Sequence, residues 1–154
     1  MNVVLDTNVL VSGLLSPFSP GAEIVRMLVA DELRLCLDAR VLTEYRQVLH
    51  RPRFQFDSEL VADLLDHASR TGTIVSGLPL ARPLPDPDDS PFLEVALAGH
   101  AECLITGNLR HFPAALTAGV RVLSPSALLD GYRQQKRKWG QPSTFSFVLT
   151  RICI

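Results

Sequence analysis

The chain is poor in the groups that would staple it, anchor it in a bilayer or hold zinc. Its three cysteines, Cys36, Cys103 and Cys153, form no CxxC or other ligand-like spacing. Neither a disulfide framework nor a thiolate metal site is expected, and the odd thiol count suits a reducing compartment. No apolar run approaches the roughly 18 residues of a membrane span, and Met1 to Leu5 has no basic leader stretch before Asp6. A cytoplasmic protein with no membrane partner is the expectation. The four histidines, His50, His67, His100 and His111, lack paired ligand spacing, which argues against zinc. Lysine is nearly missing, with Lys136 and Lys138 the only two. No lysine or histidine stands near the acidic motifs to serve as a base.

What is present is enough for one ordinary domain. The 154 residues are 47% hydrophobic and 20% charged, too apolar for disorder, and a domain of this size hides roughly 70% of its unfolded surface. The formal charge of -1 conceals segregation. Arg40, Arg46, Arg51 and Arg53 face Glu44 alone over residues 40–53, and Arg133, Lys136, Arg137 and Lys138 form a second basic cluster. Over residues 86–94 the balance reverses, with Asp86, Asp88, Asp89 and Glu94 and no base. Thirteen of the fifteen cations are arginine, whose planar fork suits phosphate.

Periodicity gives strands alternating with helices, the α/β pattern. Asn2 to Leu5 reads as a buried strand, and Gly21 to Val29 as a helix following the turn at residues 16–20. Leu33, Leu35 and Leu37 alternate as a second strand would. Residues 39–50 place Val41, Leu42, Tyr45, Val48 and Leu49 on one stripe, with Asp38 positioned as the cap. A helix over 58–69 and a strand at Thr73 to Val75 follow, and Pro83 to Pro87 then forbids helix. Ser90 and Pro91 read as N-cap and first turn of a helix burying Phe92, Leu93, Ala96 and Leu97. Cys103 to Ile105 and Val120 to Leu123 are the last core strands, and Ser126 to Arg133 is the last core helix. Short strands joined by helices imply a parallel sheet with right-handed crossovers. Residues 1–133 form the expected domain. Residues 134–154 form a tail of unassigned role, broken at Gly140 and Pro142 and strand-like over Thr144 to Ile154.

The chemistry resides in the acids. Asp6 and Asn108 each follow an apolar strand, and the carboxyl ends of parallel strands face the ligand crevice. Glu44 falls about 40° from the apolar position Val48, at the edge of its helix's buried stripe. Asp89 precedes Phe92 and Leu93 on the core-facing side of its helix, at the dipole-favoured end. Each has a plain alternative: a turn or cap at Asp6, a surface pair with Arg40 at Glu44, and an N-cap at Asp89 that Ser90 could supply instead. Gathered at one rim, the three acids would repel one another unless a hard cation with oxygen ligands, Mg²⁺ or Mn²⁺, joined them. Such a site suits attack by metal-activated water on a phosphate ester, with the basic segments holding the remainder of an anionic polymer.

The segments Val4-Leu5-Asp6-Thr7-Asn8-Val9-Leu10, Leu42-Thr43-Glu44-Tyr45, Asp86-Pro87-Asp88-Asp89 through Leu97, and Leu104-Ile105-Thr106-Gly107-Asn108 together resemble the PIN-domain ribonucleases. The order and spacing match from residue 2 to about 132, most closely the branch related to the VapC-type toxins of bacterial toxin–antitoxin pairs. The resemblance implies a three-layer α/β/α fold with a central parallel sheet, and a Mg²⁺- or Mn²⁺-dependent endoribonuclease leaving 5′-phosphates. Asp6, Glu44 and Asp89 fall on the family's acidic positions, with Asp88 a less apt substitute for Asp89. Asn108 falls where many members carry a fourth acid, and is a weaker ligand. Thr7, Asn8 and Thr106 would support the metal, and Arg40, Arg46, Arg51 and Arg53 would contact the RNA backbone. The partners implied are RNA, a small antitoxin protein and a second copy in a homodimer.

Two phosphate-handling alternatives fail on composition. The haloacid-dehalogenase type wants an Asp where Asn8 stands and a downstream lysine, and a receiver domain wants the same lysine. A catalytically weak PIN-like module that binds RNA or protein is the remaining rival, kept in play by Asn108. Replacing Asp6 or Asp89 by asparagine is expected to abolish cleavage and leave the fold intact, since removing a carboxylate from a repelling cluster relieves strain. Asn108→Asp is expected to tighten divalent binding.

Overall fold

The computed structural model describes residues 1–139. The strand-like tail expected at Thr144 to Ile154, and the break at Gly140 and Pro142, lie outside the described residues. Five strands, β1 (Asn2–Leu5), β2 (Arg34–Leu37), β3 (Thr73–Ile74), β4 (Cys103–Ile105) and β5 (Val122–Leu123), alternate with six helices. These are α1 (Thr7–Leu15), α2 (Pro20–Val29), α3 (Ala39–Leu49), α4 (Ser58–Thr71), α5 (Ser90–Ala98) and α6 (Pro125–Trp139). The sheet order is β3-β2-β1-β4-β5, with every pair parallel.

This order fixes the layers. The β1-to-β2 and β2-to-β3 crossovers step in one direction, and right-handed crossovers place their helices α1 to α4 on one face. The connection from β3 steps back across the sheet to β4, so α5 lies on the opposite face, against β1, β2 and β4. Helix α6 returns to pack on α2. The result is a three-layer α/β/α domain, and among the described residues no helix is long and apolar enough to cross a membrane.

A sheet covered on both faces should carry unbroken apolar strands rather than alternating ones. Val3, Val4 and Leu5 of β1 and Cys103, Leu104 and Ile105 of β4 are fully buried. The expected alternation in β2 is corrected by the same physics: Cys36 is as buried as Leu35 and Leu37, because helices cover both of its faces.

Helix α1 has no counterpart in the periodicity reading. Its sequence, TNVLVSGLL, is apolar almost all round, so no polar face marks it as helical, and it follows β1 with only Asp6 between. The last helix is also longer than expected: α6 starts at Pro125 and runs unbroken past Arg133 to Trp139. Lys136, Arg137 and Lys138 of the second basic cluster are its last turn, where cations complement the helix dipole, and Arg133, farther back on the helix, lies 2.7 Å from Glu23 of α2. Ser90 is not the N-cap of α5. A 3-10 turn, Pro87–Asp89, runs directly into the helix, so Ser90 is its first residue and Asp89 holds the cap position without a side-chain cap bond. The Asp89 carboxylate is thereby left for other work.

Helices α1 and α2 touch backbone to backbone through two glycines. A Cβ on Gly13 would stand 2.7 Å from the Gly21 carbonyl oxygen, and one on Gly21 would stand 2.8 Å from the Val9 oxygen. Backbone atoms cannot step aside as a flexible side chain can. Gly13→Ala is therefore expected to destabilise the fold by about 2 kcal/mol, read as a lowered denaturant midpoint. An unchanged midpoint would mean that the two helices can move apart.

Candidate active site

The sheet's direction of growth reverses between β1 and β4, and an open parallel sheet parts its loops at such a point to leave a crevice beyond the strand ends. Asp6 follows β1 at that point and Thr106 follows β4. The backbone continues the ladder into the site, since the Asp6 N–H donates to the Ile105 carbonyl over 2.9 Å.

Three hydrogen bonds hold the Asp6 carboxylate. Thr106 Oγ1 donates to its Oδ2 over 2.7 Å, Asn8 Nδ2 donates to the same oxygen over 3.0 Å, and the Asn8 N–H donates to Oδ1 over 3.3 Å as Asp6 caps α1. Asn8 Oδ1 accepts from the Gly107 N–H, and Thr106 Oγ1 accepts from the Asn108 N–H. The cap reading of Asp6 holds, and it does not exclude the site reading: the carboxylate that starts the helix also stands at the crevice.

Glu44 arrives from α3, which Asp38 caps by accepting from the Val41 N–H. Tyr45, wholly buried, donates its hydroxyl to the Leu5 carbonyl at the end of β1. That bond holds α3 to the strand that delivers Asp6. Thr7 Oγ1 then donates to Glu44 Oε1 over 2.6 Å. Burial raises the Glu44 carboxyl above its ordinary range, Asp6 and Asp88 raise it further, and Thr7 and Arg51 offset part of the rise. Tyr45→Phe would leave the Leu5 carbonyl buried without a donor. It is expected to cost roughly 1–3 kcal/mol of stability, measurable by denaturant unfolding, and a neutral result would detach Tyr45 from the positioning of Glu44.

Asp89 is 8% exposed. Its carboxyl is raised chiefly by burial, then by Asp6 and Asp86, with His111 pulling the other way. Its buried Oδ2 lies 2.8 Å from His111 Nδ1 and has no other polar partner. Asp88, in contrast, is exposed and touches the site through its charge on Glu44. Burial and the charge of Asp6 hold both the Glu44 and the Asp89 carboxyl above their ordinary range, and a cation among them would relieve that repulsion.

Asn108 does not simply extend the acid row. Its Nδ2 lies 2.7 Å from His111 Nε2, so its side chain holds the histidine. Sequence reasoning missed His111 as part of this group by weighing histidines only for paired spacing. The available signal was its place three residues after Asn108 in a 3-10 turn, Leu109–His111, a spacing that stacks side chains on one side. Asp86, Asp89 and His111 each offer a ligand atom within 4.8 Å of the others.

The arginines divide. Arg40 does not pair with Glu44: its guanidinium reaches Asp38 at 2.8 Å and Glu94 at 2.7 Å, so two carboxylates already neutralise it. Arg46, Arg51 and Arg53 are exposed. Arg51 lines a groove of about 690 Å³ together with Thr43, Glu44, Gln47 and Asp88. Arg53 lies over the Phe54 ring, 4.7 Å from its centroid.

A family model described as the PIN domain matches residues 2–110. The chain belongs to the PIN-domain family. No curated protein matches it. The PIN domain is a nuclease-type fold whose members typically use divalent metals, in keeping with the acids at the switch point. The matched span of the PIN domain contains Asp6, Glu44, Asp89 and Asn108 and stops one residue short of His111.

Proposed function

We propose that this PIN domain is a metal-dependent endoribonuclease, with Asp6, Glu44 and Asp89 as the metal-holding acids. The observation that supports it best is that Asp6, at the switch point, raises both the Glu44 and the Asp89 carboxyl, while Asp89 Oδ2 is buried with no hydrogen bond and only His111 Nδ1 beside it. Mg²⁺ or Mn²⁺ held there would supply a Lewis acid and an activated water for attack on a phosphodiester, leaving a 5′-phosphate. The chain's own contribution is positional. Thr106 and Asn8 fix the Asp6 carboxylate, Thr7 fixes Glu44, and the α5 entry turn fixes Asp89. Arg51 lines the groove and offers its charge to an RNA backbone, with Arg46 and Arg53 exposed nearby in the chain; Arg40 also lines the groove, but its charge is taken up by Asp38 and Glu94.

The test is cleavage of single-stranded RNA by the purified chain. Cleavage with Mn²⁺ or Mg²⁺, its loss in EDTA and its return with excess metal are expected. RNA that is bound but uncut under all these conditions would favour the weak binding module instead. Arg51→Gln is expected to raise KM several-fold with little change in kcat and to reduce the salt dependence of RNA binding by about one ion. An unchanged salt slope would remove Arg51 from the RNA path.

The finer role we propose is a cytoplasmic toxin neutralised by a small antitoxin that covers the acidic rim with a basic side chain. Its support is the motif resemblance and the acidic surplus at the site. Expression without the partner is expected to slow bacterial growth. Harmless expression of protein with confirmed nuclease activity would overturn the toxin role and leave the ribonuclease standing.

A further inference from the structure

We infer that His111, with Asp86 and Asp89, forms a second, nitrogen-bearing metal position that shares Asp89 with the acid site and makes the protein prefer Mn²⁺ to Mg²⁺. This rests on the metal-dependent reading above and adds to it two residues outside the expected ligand set.

Three observations point there. The ligand atoms of Asp86, Asp89 and His111 lie within 4.8 Å of one another, a spread a single ion can span with small movements, since such bonds run about 2.0–2.2 Å. Asp89 Oδ2 faces this cluster, buried and without a hydrogen-bond partner, and its separation of 2.8 Å from His111 Nδ1 suits two neighbouring ligands of one ion. The imidazole is also held at its other nitrogen: Asn108 Nδ2 lies 2.7 Å from Nε2, and the His111 N–H donates to the Asn108 carbonyl. Metal-ligating histidines are characteristically oriented in this way through the ring nitrogen that does not bind the ion. With Nδ1 on a metal, Nε2 keeps its proton, and a flip of the Asn108 amide presents its oxygen to that proton.

Charge points the same way. Asp6, Glu44, Asp86 and Asp89 carry four negative charges when ionised, and one divalent ion offsets two. Asp89 is shared by the two groups and is repelled by both Asp6 and Asp86. Asp86 is itself oriented, because its Oδ1 accepts from the Asp88 N–H over 3.0 Å as it caps the entry turn. The donor set then chooses the ion. Mg²⁺ favours oxygen ligands and retains its waters, whereas an imidazole nitrogen suits Mn²⁺ and the later transition ions.

The test uses the full chain, stripped by a chelator and titrated calorimetrically with Mn²⁺ and with Mg²⁺, and examined by electron spin-echo spectroscopy of bound Mn²⁺. Wild type is expected to bind Mn²⁺ more tightly than Mg²⁺ and to show modulation from a directly bound nitrogen. In His111→Ala that modulation should vanish and Mn²⁺ affinity should fall tenfold or more, with Mg²⁺ affinity changed less than twofold. Wild-type protein without the nitrogen signal would overturn the inference, as would a His111→Ala chain with the wild-type preference; RNA cleavage by that same protein would show that the nuclease reading survives. Binding of neither ion would sink both. A nitrogen signal in protein that cuts no RNA would uphold the metal position and refute the nuclease.

Discussion

Asp6→Asn is expected to lower Mn²⁺-dependent RNA cleavage by at least about a hundredfold, because even outer partners of a metal ligand cost 10–100-fold when removed and Asp6 is proposed as a ligand itself. The same change also costs stability. The sequence expectation was of a fold left intact or relieved, but Asp6 is tied down by three hydrogen bonds and caps α1. An asparagine has one oxygen for donors that now use two. If that oxygen keeps Thr106 and the Asn8 side chain, its amide turns toward the Asn8 N–H and the cap is lost, at about 1 kcal/mol. The variant should therefore be both inactive and slightly less stable in chelator. Activity within tenfold of wild type in the folded variant would remove Asp6 from the metal site.

Much of this arrangement was legible in the sequence because burial writes itself in runs of one residue type. β1 and β4 are unbroken apolar runs ending in a polar residue, and α3 carries its stripe and its cap in order. What was hidden has local causes. Helix α1 is buried almost all round, so it has no polar face to set a period. Asp38 pairs with Arg40 as well as capping α3, and Glu94, buried in the middle of α5, is Arg40's other partner; a pairing two residues away in one case and on another helix in the other leaves no mark at the four-residue spacing. His111 was passed over for a different reason, since its spacing from Asn108 is a weak signal by itself. Its role depends on a 3-10 turn that brings it back to Asn108 and on the α5 entry turn that leaves Asp89 unpaired, and neither turn has a periodic signature. The candidate acids stood out because chemistry demands them at strand ends and helix edges, and the residues that orient them stood out only within two residues of a candidate ligand, Thr7 and Asn8 beside Asp6 and Thr106 beside Asn108.

Asp89→Asn should move stability in the opposite direction from Asp6→Asn. Burial and the charges of Asp6 and Asp86 hold the Asp89 carboxyl above its ordinary value and outweigh the opposing pull of His111, whose Nδ1 lies 2.8 Å from Oδ2. A carboxyl raised in the folded state contributes stability that is fully present below its ordinary unfolded value of 3.8 and is lost as pH rises through the folded value. At neutral pH the metal-free protein therefore carries the cost of ionising it, and asparagine removes that cost. In chelator at pH 7 the variant is expected to be more stable than wild type by about 1 kcal/mol, roughly 2–4 °C in Tm for a chain of this size. The difference should shrink toward zero in acid, where the wild-type carboxyl is protonated. Adding Mn²⁺ should reverse the order, because an ion at a hundred times its dissociation constant stabilises the wild type by about 2.7 kcal/mol and the variant has lost a shared ligand. Cleavage should fall at least as far as in Asp6→Asn, since Asp89 serves both metal positions. Thermal unfolding of both proteins across pH, with and without Mn²⁺, reads all of this. A variant less stable than wild type in chelator would show that Asp89 is held by the fold for its own sake, and a Tm order that Mn²⁺ fails to reverse would show that no ion binds there.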